Sequence, residues 1–359
     1  MSFWHLVGRS LMHHWRMNAA IALGVAVGTA ILTGALLVGD SVRGSLRAVA
    51  LDRLGRIDAV LARPTFFRAA LADELAEQGA QGHGTLVAPV VLVQGTLEQP
   101  DSHRRATQVT IIGSDEQFWR LDNRPASDRA LKAGEVILTE PLARELGIEV
   151  ADKPAADKAP AVIMRLPGPG EVPADSPLGR KTETVRNVRL TVARVVPAEG
   201  LARFSLNPSQ RTSLNAFVST ETLQRALEQP GKVNAIVYSG NVDDPNEPVG
   251  PHSVDVHDLD SYLHPRLEDY CLRIEQTPRG YFDLSSERMI LEPEVVREAR
   301  KSFAPWPTQV AFTYLANTIA VNGRELPYST ITGIDPVAEP PLGPLVTETS
   351  EPLAPLGDA

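Results

Sequence analysis

Three stretches of the 359-residue sequence hold residue types at spacings that could do chemistry. The first is Gly39-Asp40-Ser41, a triplet of the kind that presents a nucleophilic serine in esterases. Such a serine needs a base, which these hydrolases supply from a late D-x-x-H, and an asparagine and a glycine for the oxyanion. The sequence does not provide them: Asp260 and His264 are spaced one residue too widely, and Gly240-Asn241 is in the wrong order. The second stretch holds His252, Asp255, His257, Asp258, Asp260 and His264, the densest set of metal-ligand types. Asp255 and His257 would share a face of a strand, but carboxylates beside prolines also describe a solvated loop. The third is Gly179-Arg180-Lys181-Thr182, which lacks the glycine before the lysine that a phosphate loop requires.

These shortfalls leave no catalytic residue, no cofactor and no metal ligand to assign, so the chain reads as a non-enzyme that does not hydrolyse ATP by itself. Cys271 is the single cysteine, which excludes an intrachain disulfide framework and a cysteine metal cage. A net charge of -9, without a basic cluster interleaved with aromatics, argues against a nucleic-acid partner. His13 and His14 are adjacent, hence on different faces of a helix, and fit a membrane interface better than a metal site.

The element that organises the rest is Ala19 to Gly39, a run with no charged side chain. As a helix it reaches roughly 30 Å, the thickness of a bilayer's hydrocarbon core, so it is expected to span a membrane. Ala20, Gly24, Gly28, Ala35 and Gly39 fall on one small-residue stripe, the type of surface that lets membrane helices approach closely. Lipid-facing glycines in an ordinary anchor would read the same way. Residues 1–18, with Trp4, Val7, Leu11 and Trp15 at helical spacing, predict an interfacial amphipathic helix. The run is too long for a signal-peptide core and LLVGDS offers no A-x-A cleavage site, which favours an uncleaved anchor. Arg43, Arg47, Arg53 and Arg56 follow the span and outnumber Arg9 and Arg16 before it, a count that by itself puts the amino end outside.

Residues 40–60 continue the helical periodicity through Val42, Leu46, Val49 and Leu54 as a stalk, with Gly44 and Gly55 as flex points or helix ends. A helix is expected over RPTFFRAALADELAEQG, closing at Gly79, followed by strands LVAPVVLVQGTL and ATQVTIIG. EVIL and PLARELG give a strand and a helix, AVIMRL a strand, and NVRLTVARVVP another with Leu190, Val192 and Val195 turned to a core. AFVS, TETLQRAL and VNAIVYSG complete an α+β core over 61–240. A second subdomain and return strands are expected over 241–334: a helix or strand at LEDYCLRI, a helix at PEVVREARKS, and strands QVAFTYLANTIAV and PYSTITGI. Residues 335–359 are a proline-rich linker by composition.

Several of these segments together resemble the permease subunits of the MacB and FtsX-like ABC transporter family, particularly its long planctomycete-type versions. They are the amino-terminal helix ending in LLVGDSVRGSL, VTIIGSDEQFW at 109–119, GEVILTEPLARELG at 134–147, VRLTVARVVP at 188–197, TYLANTI at 313–319 and PYSTITGI at 327–334. The resemblance implies an inner-membrane protein with a cytoplasmic amino end, opposite to the arginine count, and a large extracytoplasmic α+β domain of the MacB-like periplasmic core type with an inserted or second subdomain. It also implies partnership with a separate ABC ATPase subunit, and with the remaining permease helices or a second copy. Such permeases carry further membrane helices after the domain, so the chain is expected to be the amino-terminal portion of one, coupling ATPase to domain movement in export or in lipoprotein or lipid handling. A single-pass, membrane-anchored scaffold or ligand-binding sensor is the alternative.

Overall fold

The computed structural model describes residues 3–79, 85–124, 131–149, 159–166, 186–206, 213–240, 256–288, 291–321, 323–334 and Leu342. Gly179 to Thr182, His252, Asp255 and nearly all of 335–359 lie outside the described residues. Helix α1 covers Phe3–His13 and α2 covers Trp15–Leu54. At about 1.5 Å per residue α2 is about 60 Å long, twice what a bilayer core requires. Its side chains are exposed along nearly all its length to Ala50, and its most apolar window has a mean hydropathy of 2.3. Length and composition therefore suit a membrane crossing, with Asp40–Leu54 left to project about 22 Å beyond it. Gly44 does not interrupt the helix.

The core is built from β1 (Ala59–Arg68), α3 (Ala70–Gly79), β2 (Leu86–Gln99), β3 (Arg104–Ser114), α4 (Glu116–Arg120), β4 (Glu135–Thr139), α5 (Glu140–Leu146), β5 (Ala161–Leu166), β6 (Arg186–Val196), β7 (Asn215–Ser219), α6 (Thr220–Ala226) and β8 (Lys232–Ser239). Its eight strands run in the order β1-β8-β2-β3-β7-β4-β6-β5, and β5 also pairs with β2. The sheet thus closes on itself from β2 round to β5, leaving β8 and β1 as an extension. The long strand β2 makes this possible by pairing with β8 over Leu86–Val90 and with β5 over Thr96–Glu98. Gly95 sits at the changeover, where a Cβ would come within 2.5 Å of Ile111 Cδ1 and 2.8 Å of the Arg165 carbonyl. No larger residue fits there without moving a strand.

Alternating side chains of these strands feed two apolar clusters on opposite faces. Ile111, Val136, Leu138 and Ile236 join one, with α3, α5 and α6. Ile112, Ile137, Phe217 and Val237 join the other, with α4 and the end of the long helix. Leu190, Val192 and Val195 are buried in the first.

The helix expected from Arg63 to Gly79 is shorter than its periodicity suggested. Residues through Arg68 form β1, and only Ala70 onward is helical. Thr65, Phe66 and Phe67 favour an extended chain, and Pro64 falls in the register shift between Ala62 and Phe67, a position a sheet tolerates for a residue with no N–H. Within residues 1–18, α1 ends at His13 and Trp15 already belongs to α2.

Beyond the core come α7 (Val256–Tyr262), a 3-10 turn at Leu267–Tyr270, the hairpin β9 (Leu272–Gln276) and β10 (Phe282–Ser286), α8 (Pro293–Ser302), and the hairpin β11 (Ala311–Val321) and β12 (Arg324–Ile334). LEDYCLRI is thus part turn and part strand, divided at Cys271, whose φ is +58°.

Candidate functional site: the junction of the long helix with the core

Among the described residues, those with chemical potential do not assemble into a reactive centre. Ser41 lies on the exposed middle of α2, and the neighbouring Asp40 is 3.9 Å from Arg43. A serine inside a regular helix lacks the sharp turn that raises a nucleophile above its backbone. Among the described residues, which include the side chains of Asp260 and His264, no three His, Cys, Asp or Glu side chains group as metal ligands. The stripe residues Ala20, Gly24, Gly28, Ala35 and Gly39 are all exposed, and a Cβ at Gly24, Gly28 or Gly39 would meet nothing within 4 Å.

What is built with care is the point where α2 enters the core. The helix ends at Gly55, whose N–H bonds the carbonyls of Leu51 and Asp52. Gly55 has φ 58° and ψ -125°, a region closed to residues with a Cβ. The added atom would also lie 2.5 Å from the Leu121 carbonyl oxygen and 3.2 Å from Leu201 Cγ. The backbone then fastens residue by residue. Arg56 N–H bonds Leu121 O at 2.9 Å, Ile57 N–H bonds Leu54 O at 3.1 Å, and Asp58 N–H bonds Tyr238 O at 2.9 Å. The Asp58 carboxylate accepts from Gly240 N–H at 2.9 Å.

Side chains brace the same turn. One Asp52 oxygen accepts from Gly200 N–H at 3.2 Å, and the other accepts from the Arg124 guanidinium at 3.2 Å. Arg124 also lies 3.8 Å from Glu199. Gly200 belongs to the 3-10 turn Gly200–Arg203, and its φ of +55° together with Asp122 Oδ1 at 2.6 Å from a Cβ position would strain any larger residue there. Buried Asn215 ties this turn to β7 by donating to the carbonyls of Ala202 and Phe204 at 3.0 and 2.8 Å.

Beneath the turn is an aromatic block. Trp119 and Phe217 have ring centroids 4.5 Å apart, and Phe118 meets Phe204 edge to face at 5.5 Å. Asp115 caps the short helix that carries Phe118 and Trp119, accepting from Phe118 N–H at 3.1 Å. Burial pushes its carboxyl up, against the pull of that backbone N–H. Ile57, Leu121 and Leu201 complete the apolar seat. Close-packed interiors transmit strain rather than absorb it. The junction can therefore pass displacement of α2 into the sheet.

A second polar knot joins the carboxyl-terminal segment to β1. Arg68 reaches Asp269 at 2.8 Å, Glu74 at 2.8 Å and Glu268 at 3.1 Å. The arginine is thereby held above its ordinary value, chiefly by its hydrogen bonds to Asp269 and Glu74. Burial pushes the Asp269 carboxyl up, but the Arg68 hydrogen bond and the backbone N–H groups of Arg266 and Arg68 outweigh it and leave the group below its usual range. Glu74 is lowered by its hydrogen bond to Arg68. Arg63 bonds the Asp269 carbonyl at 3.2 Å and lies 4.9 Å from the Tyr270 ring centroid.

Sequence reasoning singled out Gly55 but missed Asp52, Arg124, Gly200 and Asn215. Their partners lie at up to 148 residues' separation, beyond any local pattern. The signal within reach was the SDEQFW segment, where a cap residue precedes two aromatics.

Residues 19–246 match the family described as the MacB-like periplasmic core domain. No curated protein matches the chain. Among solved structures, the periplasmic region of MacB from Actinobacillus actinomycetemcomitans is similar at 13% identity and a TM-score of 0.35, over 68% of this chain and 94% of that one. A permease-protein domain from Porphyromonas gingivalis is similar at 14% identity and a TM-score of 0.34, over 69% and 97%. The extracellular domain of the noncanonic ABC-type transporter YknZ from Gram-positive bacteria follows at 12% and 0.30, over 50% and 81%.

Proposed function

The chain belongs to the MacB-like periplasmic core domain family, and from that premise we propose that it works as the amino-terminal portion of an ABC transporter permease subunit, transmitting the motion of a separate ATPase to an extracytoplasmic domain. The observation that carries this reading is the junction: a 40-residue helix that enters the core without a joint, its last turn fastened at Gly55, Arg56 and Asp52. In this reading the amino end is cytoplasmic, the Ala19 to Gly39 span lies in the inner membrane, and the segment from Asp40 to Leu54 is a lever. Movement of the lever changes the relative population of two domain arrangements rather than any covalent chemistry in this chain. The Ala20, Gly24, Gly28, Ala35 and Gly39 stripe packs against another membrane helix of the permease or a second copy. Export, or lipoprotein or lipid handling, is the transport class that fits.

The test is Ala48→Pro in the complete permease reconstituted with its ATPase. Proline in an exposed helix interior costs about 3 kcal/mol and kinks the helix. Transport should uncouple from ATP hydrolysis while the core keeps its thermal transition. Coupling that survives would remove the lever from the mechanism and favour the single-pass scaffold or sensor, which functions without an ATPase.

A further inference from the structure

Beyond the core, the β11–β12 hairpin has 11 residues in each strand and leaves Phe312, Tyr314, Leu315 and Leu326 exposed. A lone two-stranded hairpin is marginal in water, so this one calls for a reason. Its order of elements supplies a first clue. The core opens with a strand, a ten-residue helix and a long hairpin, β1, α3 and β2–β3. The segment from β10 repeats that order with the ten-residue α8 and β11–β12. The second strands agree in sequence: VTIIGSD at 109–115 and STITGID at 329–335 share Thr110 with Thr330, Ile111 with Ile331, Gly113 with Gly333 and Asp115 with Asp335. They agree in register too. Gly113 faces Val91 and Ile111 faces Val93, while Gly333 faces Phe312 and Ile331 faces Tyr314.

The two glycines differ in what surrounds them. Gly113 is boxed in, since a Cβ there would lie 3.1 Å from Val91 Cβ, 3.1 Å from Leu223 Cδ1 and 3.2 Å from Thr220 Cα. That crowding arises because β7 runs parallel beside β3, pairing Thr110–Ser114 with Asn215–Ser219, and α6 then starts over the glycine. At Gly333 a Cβ would meet only the Phe312 carbonyl, at 3.8 Å. Gly333 has neither a positive φ nor a bulge to account for it, its register with β11 being regular. A strand glycine without either reason often marks a site where a ligand or another backbone approaches closely, and at the equivalent Gly113 the approach is that of a strand–helix unit. Among the described residues, β12 pairs only with β11.

We propose that residues 282–334 are the opening of a second core-like module, and that the outer edge of β12 is a docking site for a strand–helix unit. The unit runs parallel to Thr330–Ile334, as β7 does to β3, and sets the first turn of its helix over Gly333. Its chemistry follows from the first module: about five extended apolar residues, then a Ser- or Thr-capped helix.

The probe is a synthetic peptide of residues 213–229, which carries β7 and α6, added to the full-length chain in detergent while amide exchange is followed. Exchange at 329–334 should slow by about tenfold. Gly333→Val should abolish that slowing and leave the peptide-free exchange of β11–β12 unchanged, because the added side chain has open space until the unit docks. A peptide carrying Phe217→Asp and Val218→Asp should not protect. No slowing at millimolar peptide, or equal slowing in Gly333→Val, would overturn the assignment. Protection that appears without peptide and rises with protein concentration would make a second copy the occupant and overturn it as well.

Discussion

Replacing Gly55 with alanine tests whether the junction is a fixed seat or a hinge. At φ 58° and ψ -125° a residue with a Cβ costs about 1–3 kcal/mol in backbone strain alone. The new atom would also lie 2.5 Å from the Leu121 carbonyl oxygen, a backbone atom held by its bond from Arg56 N–H at 2.9 Å. Relieving that contact means losing the bond or shifting the aromatic seat, which adds about 1 kcal/mol. A combined loss of about 3 kcal/mol corresponds to about 6–12 °C in the thermal midpoint of a domain this size. Scanning calorimetry of the full chain in detergent measures it. Gly44→Ala is the control: that glycine is in open space inside a helix, so alanine should leave the midpoint unchanged or raise it by a contribution of up to about 1 kcal/mol. A Gly55→Ala loss below about 1 kcal/mol, or equal effects at both sites, would refute the reasoning.

Asp52→Ala should cost about 1 kcal/mol in the same scan, because the Asp52 and Arg124 side chains are part-exposed and solvent screens their ion pair; a loss above about 3 kcal/mol would mean that the carboxylate is buried in the working protein. Asp269 and Glu74 have lowered folded-state values, so the stability they contribute is present above about pH 4 and lost as pH falls through those lower values. Proteolysis within 267–288 should therefore accelerate on acidification below about pH 4, and Asp269→Asn should flatten the profile. Gly24→Leu and Gly28→Leu should weaken crosslinking to a neighbouring membrane helix without impairing insertion, whereas Leu23→Ala, off the stripe, should not. Unchanged crosslinking in both variants would reduce the stripe to composition.

Much of the architecture could be read from residues close together in the chain. The long apolar run, the alternation around Leu190, Val192 and Val195, and the Pro141 and Gly147 that bracket α5 are each patterns of residues contiguous in the chain. The reading failed where a distant partner decides the outcome. Residues 63–68 have enough apolar periodicity for a helix, yet they belong to β1, in which Phe67 and Arg68 pair with the distant Val233 and Lys232 of β8, and sheet pairing outweighs local preference. The junction was hidden for the same reason. Gly55 was visible as a glycine, but whether it bends or locks depends on the Leu121 carbonyl and on Leu201. Asp52 looked like one more surface acid until Gly200 and Arg124 were brought to it.

The central claim is that α2 and the core move as one body. Cys271 is the single native cysteine, so a Cys271→Ser background allows spin labels at Ser45 on the exposed part of α2 and at Arg120 on the exposed face of α4. Double electron–electron resonance on the reconstituted transporter then gives the distance between lever and core through the ATPase cycle. A rigid junction gives one narrow distribution, its mean constant to within about 2 Å between the nucleotide-free and ATP-bound states. A second population, or a shift of about 5 Å or more on ATP binding, would show a hinge at the junction and contradict it.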